Sequence, residues 1–275
     1  MQRTFYKEFS SLPWYTEGPV TDLQGNVYFT TLRGGLIMKM DAGGVVSNWA
    51  RATCPNGQLI VPNGDHLICD SGNSSISRYD SGGHFLGNDI LHSCDGQSIH
   101  CPNDLAIDAD GGIYFTDSIR GEGKVCYYSP NGEERVIAIN LDFPNGIALA
   151  DQGKLLLVAE SYCNRIVAFH LRSPGIPEGT MDVFATLPSH PSGYQIMNLP
   201  DGIRLDDSGN LWVAHYGMRA VQVLSPKGEH INSIRTEFPL PSNLCLYGDV
   251  LFVTGGYNEP GPGGISMIEI AGICE

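Results

Sequence analysis

Pro144-Asn145-Gly146-Ile147-Ala148 is the stretch whose reading decides the fold, because variants of it recur along the chain. Pro55-Asn56-Gly57, Pro102-Asn103-Asp104, Pro200-Asp201-Gly202 and Ser242-Asn243-Leu244 match it. Glu17-Gly18-Pro19 repeats it with a longer side chain. The central residue is always Asn, Asp or Glu. Counted from Glu17, the steps are 39, 47, 42, 56 and 42 residues. Six in-phase copies of one oxygen-bearing residue bear on fold and site together, since equivalent positions of a repeat sit at equivalent places.

Working outward, each copy leads into a short apolar strand, a tight turn and a second strand. In the first repeat these are residues 20–22, 23–26 and 27–30. In the third they are 105–107, 108–112 and 113–116, and in the fifth 203–205, 206–210 and 211–214. Gly and Asn in the turns supply the positive φ that tight hairpins need. Third strands follow, as at 36–40, 75–79, 125–128 and 220–224, each ahead of a further glycine turn. Four short antiparallel strands per ~45 residues, repeated, predict an all-β fold. It is a six-bladed β-propeller of four-stranded antiparallel blades, one domain over residues 1–275. The N-terminal strand, residues 5–9, is expected to close the last blade beside 265–270 and hide an edge. No stretch sustains a 3.6-residue period, so helix should be nearly absent. The longest interval, Asn145 to Asp201, holds a polar loop at 189–198 that is read as serving a site.

Composition agrees. Gly 34 and Pro 17 with only 17% charged residues suit a turn-rich globular β protein and exclude disorder. Thirty acids against 16 bases give a formal charge of −14, which repels nucleic acid and anionic membranes but suits neutral substrates and cations. No apolar run approaches the ~18 residues of a membrane span. Residues 1–8 lack the apolar centre of a signal peptide, so a cytoplasmic location is expected. The expected partner is a small molecule, not nucleic acid or membrane, with the chain a monomer or homodimer. Eight cysteines show no zinc spacing and are read as reduced. Cys94 and Cys101 flank a short loop and are the candidates for a disulfide.

In a propeller the first strand of each blade lines the axis. Glu17, Asn56, Asn103, Asn145, Asp201 and Asn243 should therefore converge at one mouth. Two carboxylates and several amide oxygens, with no Cys or His, form a hard-oxygen set of charge about −2. Such a set suits one divalent cation, Ca2+ first, then Mg2+, Mn2+ or Zn2+. Pro-Asn-Gly alone is an ordinary turn. Its recurrence in phase, and a Glu where no turn wants one, favour an axial site, with Asn56 and Asn243 read as the turn residues. Second strands end at the same mouth with Asp70, Asp117, Glu160 and His215, and the following loops bring Arg33, Tyr162, Tyr216 and Tyr257. His215 is the histidine placed nearest the mouth. Cys101 precedes Asn103 closely, but Cys54 fills the matching place before Asn56, so packing explains both. There is no GxSxG, HExxH, P-loop or GxGxxG.

Four stretches together resemble the SMP-30/gluconolactonase/luciferin-regenerating enzyme (LRE) family: Glu17-Gly18-Pro19, Pro102-Asn103-Asp104-Leu105 ahead of 112–117, Pro144-Asn145-Gly146, and Pro200-Asp201-Gly202-Ile203 ahead of 209–213. The resemblance covers essentially the whole chain. It implies a six-bladed propeller with one divalent metal at the top of the channel, and lactone hydrolysis. It implies Glu17, Asn145 and Asp201 as metal ligands, Asn103 as substrate-binding, and Asp201 as general base. His215 or Tyr257 is the expected wall residue that orients the ring. Regucalcin-type members carry Arg two residues before that Asn. Here the position is Cys101, a departure that weakens the transfer of their sugar-lactone specificity, and Pro-Asn-Asp-Leu is closer to bacterial gluconolactonase-like members. The expected function is a metal-dependent hydrolase that opens a lactone, a sugar lactone or related cyclic ester, with a metal-polarised carbonyl and Asp201 assisting water attack. Two rivals stay open. One is other propeller chemistry, strictosidine-synthase-like condensation or organophosphate hydrolysis, in which Glu160 or His215 would matter more. The other is a non-enzymatic, metal-stabilised binding platform.

Overall fold

Asp22, Asp108 and Asp206 show why the strands turn where they do. Asp22 Oδ1 accepts the N–H groups of Gln24 and Asn26, both at 2.9 Å, and Asp206 Oδ1 accepts those of Ser208 and Asn210 at 2.9 and 2.8 Å. Gly25 and Gly209 close these turns at φ 79° and 81°, where a Cβ would be strained. The second carboxylate oxygen of Asp206 accepts the indole N–H of Trp212 at 2.9 Å, which ties the turn to the next strand.

The computed structural model describes residues 6–272; Phe5 and Cys274 lie outside them. Hairpins of this kind build six antiparallel sheets. The inner strands of blades 1 to 5 are Thr16–Thr21, Pro55–Ile60, Pro102–Ile107, Pro144–Ala150 and Leu199–Leu205. Blade 6 starts at Leu240–Tyr247 and is completed by the N-terminal strand Tyr6–Leu12, which runs antiparallel to Gly263–Glu269 with Tyr6 opposite Ile268. Inner strands touch all round the ring, blade 6 against blade 1 included. The fold is a six-bladed β-propeller.

Two departures from the simple repeat are visible. In blade 4 the strand Arg165–Ser173 is nine residues long and takes two partners, Ile176–Pro177 and Asp182–Thr186. Between blades 2 and 3 a small hairpin pairs Ser93–Cys94 with Gln97–Ser98. The described residues hold no α-helix, only four 3-10 turns, and no helix long and apolar enough to cross a membrane. Cys94 and Cys101 are separate thiols. Cys94 packs into the blade 2–3 core with Cys126, which draws it away from Cys101.

Each blade interface has its own apolar cluster: Leu67 shares one with Phe115, Tyr114 with Phe169, Leu157 with Val213, Trp212 with Leu244, and Phe29 with Phe252. Burying a side chain of this size contributes roughly 1.5–3 kcal/mol before entropy costs. The blade 1–2 cluster is the smallest, with Ile37, Ile68 and Tyr79. There His66 fills the remaining space, its ring centroid 4.6 Å from Tyr28 and 4.3 Å from Trp49. Nearer the axis, hydroxyls tie several blades to the next. Thr30 donates to the Asn56 carbonyl at 2.8 Å, Thr116 to Asn145 at 2.7 Å, and Ser242 to Thr16 at 2.7 Å.

Candidate active site

The repeated residue sits at the same irregularity in all six blades. Pairing of the first and second strands slips between Glu17 and Val20, Pro55 and Gln58, Pro102 and Leu105, Pro144 and Ile147, Pro200 and Ile203, and Pro241 and Leu244. A bulge bends the strand and re-aims a side chain. The glycine that follows answers to the neighbouring blade. A Cβ on Gly146 would run into the Asp201 carbonyl, and one on Gly202 into the Asn243 side chain. Pro-Asn-Gly is thus the place where adjacent blades press together around the axis.

Five of the six repeated residues line one cavity of about 1130 Å3: Glu17, Asn56, Asn103, Asn145 and Asp201. Glu17, Asn145 and Asp201 are only 4, 6 and 8% exposed. Asn243 is turned into the protein, its Oδ1 accepting the Leu244 N–H at 2.8 Å. The side-chain oxygens Asn56 Oδ1, Asn145 Oδ1 and Asp201 Oδ1 are buried without any hydrogen-bond partner. Burial pushes the Glu17 carboxyl up to about 8, with Asp104 and Glu259 adding to the rise. Asp201 is raised well above the usual carboxylate range by burial, then by Glu17 and Glu259.

Buried oxygens without donors, around two carboxylates that resist ionising together, are the donor chemistry of a hard cation site. No group of three or more His, Cys, Asp or Glu suited to a metal converges among the described residues. A cation here would therefore rest on amide oxygens as well as on Glu17 and Asp201, which favours Ca2+ or Mg2+ over Zn2+. The residues present fit such an ion.

The acids at the ends of the second strands have another task. Asp70 accepts the N–H groups of Thr53 and Cys54 at 3.0 and 2.8 Å, and Asp117 those of His100 and Cys101 at 3.0 and 2.6 Å. Glu160 accepts the Asp142 N–H at 2.8 Å. Each fastens the segment that leads into its own inner strand, and none lines the cavity. His215 occupies the matching place in blade 5. It is fully buried, with Nδ1 3.3 Å from Gln222 Nε2, and burial depresses its pKa to about 3. Its side chain is held inside the blade, so it does not line the cavity. Tyr257 is also off the wall: its hydroxyl donates to Glu237 Oε1 at 3.1 Å and its ring packs edge-on against Phe238. The structure thus brings Glu17, Asn103, Asn145 and Asp201 together and leaves His215 and Tyr257 apart from them.

The walls hold residues that the repeat did not announce. Trp14 and Tyr15 precede the first repeated residue, and Glu259 and Pro260 follow the last blade's second strand. These segments lie outside the repeat register, so no phase marks them. Tyr15 donates its hydroxyl to the Leu240 carbonyl at 3.2 Å and its ring faces Tyr216 at 6.4 Å. The loop around the 3-10 turn Gln195–Met197 brings Ile196 and Met197 to the rim. Cys54 and Cys101 also face the cavity, and burial pushes the Cys101 thiol up to about 11, away from thiolate chemistry. Next to the floor, Asp104 pairs with Arg204 of blade 5, Oδ2 to Nη1 at 2.9 Å and Oδ1 to Nη2 at 3.3 Å. Arg204 also borders a second cavity of about 390 Å3, walled by apolar residues such as Val20, Leu59 and Leu149.

Residues 15–256 match the model of the SMP-30/gluconolactonase/LRE-like region. Lactonase drp35 of Staphylococcus haemolyticus is 30% identical over 233 residues, covering 79% of this chain and 68% of the relative. A gluconolactonase from Xanthomonas campestris superposes with a TM-score of 0.82 at 25% identity, over 97% of this chain and 90% of the other. Regucalcin from Agrobacterium tumefaciens, a calcium-binding protein, shares the fold with a TM-score of 0.76 at 18% identity, over 97% and 93% of the two chains. This chain belongs to the SMP-30/gluconolactonase/LRE-like family.

Proposed function

We propose that this protein is a divalent-cation-dependent lactonase, a carboxylic ester hydrolase that opens a lactone in the 1130 Å3 cavity. The observation behind this reading is the floor of that cavity, where Glu17 and Asp201 lie among buried oxygens that lack partners. Relatives named lactonase and gluconolactonase support the reaction class, and a calcium-binding neighbour of the same fold supports Ca2+ as first choice.

A cation held by Glu17, Asn145 and Asp201 would supply Lewis acidity to the lactone carbonyl oxygen and to the oxyanion that develops there. The chain's own residues account for the remaining work. Asn103 offers its amide N–H to the substrate and fixes the ring over the floor. Asp201 takes the proton of the attacking water and returns it to the ring oxygen as the C–O bond breaks, which releases the hydroxy acid. The enclosing wall keeps bulk water from competing for these contacts.

Asp201→Asn keeps the shape of the side chain and removes the base. Hydrolysis of a lactone panel, followed by pH-stat, should fall about 10²–10⁴-fold with an unchanged circular dichroism spectrum. Chelation should abolish turnover in the unsubstituted protein, and added Ca2+ should restore it. Undiminished hydrolysis by Asp201→Asn ends the proposal.

A further inference from the structure

The cavity wall is apolar where a substrate's substituent would lie. Trp14, Phe143, Tyr162, Ile196 and Tyr216 line it above the floor. The rings are held in pairs: Phe143 packs edge-on to Tyr162 at 5.7 Å, and Tyr216 faces Tyr15 at 6.4 Å. Arg120 stacks 3.4 Å from the Tyr162 ring centroid and supports it. Ile196 stands 64% exposed at the rim, an apolar side chain that a bound apolar group would cover.

Three hydroxyls on this wall already donate to backbone carbonyls, and Tyr216 is hydrogen-bonded to Glu259. Tyr15 donates to the Leu240 carbonyl, Ser71 to the Cys54 carbonyl at 3.1 Å, and Ser161 to the Pro200 carbonyl at 2.7 Å. Two charged side chains reach the wall beyond the floor, Arg33 and Glu259, both exposed and opposite in sign. With one charge of each sign, this part of the wall has no net formal charge with which to select a charged substituent.

We infer that the lactone taken by this cavity carries an uncharged aromatic or alkyl substituent, not a polyhydroxylated chain. The inference rests on the lactonase reading above. Each substrate hydroxyl brought against the wall without a partner gives up its bonds to water and gains none in return. An apolar group gains in proportion to the surface it removes from water. The two effects act in the same direction, and together they call for a discrimination on the order of 10²-fold.

The test compares kcat/KM for 5-phenyl-δ-valerolactone and δ-decalactone with that for glucono-δ-lactone, on the full chain with Ca2+ present. The first two should exceed the third by about 10²-fold. Equal or greater kcat/KM for glucono-δ-lactone overturns the inference. Calorimetric titration with the matching lactams, 6-phenyl-2-piperidone and gluconolactam, reads the wall without any turnover. If no lactone is hydrolysed, the lactonase reading fails, and the titration still decides. Tighter binding of the phenyl lactam upholds the apolar wall, and equal or tighter binding of gluconolactam refutes it. Ile196→Ser and Tyr162→Ser should each narrow the preference several-fold. A preference left intact in both variants overturns its assignment to this wall.

Discussion

Two sets of carboxylates are buried near the same axis, and the protein treats them in opposite ways. Asp104 is fully buried and receives a two-pronged guanidinium from Arg204, a residue 100 positions away in another blade. Arg204 also donates to the Ile203 carbonyl at 2.7 Å, so the pair is closed from both sides. Burial opposes the charge on Arg204, yet Asp104 outweighs it and raises the guanidinium pKa. Glu17 and Asp201, also almost wholly buried, have no such partner: their own pKa values rise instead, and an Asp201 oxygen is left without a hydrogen bond. The chain supplies its own cation at one place and omits it at the other. Since a buried charge without compensation is costly, the omission is what a site kept for an external cation looks like.

The comparison breaks first if Arg204 is dispensable. Arg204→Met removes the guanidinium and leaves Asp104 charged and buried, which should cost about 3–5 kcal/mol. Thermal unfolding should fall by roughly 10 °C or more. Asp104→Asn combined with Arg204→Met should recover most of the loss, because no uncompensated charge then remains. A loss below about 1 kcal/mol in the single variant, measured by urea unfolding, would place Asp104 in the same class as the mouth carboxylates.

Little in the sequence marks Asp104 and Arg204 as partners. Asp104 stands where Gly57, Gly146 and Gly202 stand in other repeats, and that substitution is the one visible trace. Their pairing spans two blades, a distance that no local pattern encodes. The ring itself was legible, because the in-phase Asn, Asp and Glu fixed both the number of blades and the residues facing the axis. The two histidine and tyrosine expectations depended on finer geometry. His215 ends the correct strand, but its side chain turns toward Gln222, and strand position alone does not give that direction. Asn56 and Asn243 looked alike in sequence and separate only in three dimensions: one faces the cavity, and the other accepts from Leu244 in its own blade while its amide reaches Asp104 and Glu17 beneath the floor.

A third treatment of buried titratable groups sharpens the contrast. His66 and His215 are neither paired with a charge nor open to a cation; they are kept neutral. Burial depresses His66 to about 4 and His215 to about 3, against 6.5 for an exposed histidine. Between pH 6.5 and these values the unfolded chain binds protons that the folded chain refuses. Stability is therefore fully present above pH 6.5 and is lost as pH falls, at about 1.4 kcal/mol per pH unit for each histidine. His66→Phe, which keeps a ring between Tyr28 and Trp49, should lose about 2–3 kcal/mol less than the unsubstituted protein between pH 6.5 and 4.5. Urea midpoints at the two pH values measure this. Identical losses in both proteins would mean that His66 is charged in the folded state.

The smallest effect separates Asn56 from Asn243. Asn243→Ala strands the buried Leu244 N–H, whose acceptor is Asn243 Oδ1, and should cost about 1–2 kcal/mol with or without cation. Asn56→Ala removes an oxygen that has no partner, so the cation-free protein should lose less than about 0.5 kcal/mol. The difference should reverse when Ca2+ is added. A ligand at a hundred times its Kd stabilises a fold by about 2.7 kcal/mol, and weaker binding in Asn56→Ala should cut that gain, whereas Asn243→Ala should keep it. Thermal melts with chelator and with Ca2+ give all four numbers. If Asn56→Ala is as costly as Asn243→Ala in chelator, the Asn56 oxygen does structural work. The mouth would then hold one fewer vacant donor than its geometry indicates, and Glu17, Asn145 and Asp201 alone would remain to distinguish it from the closed pair beneath.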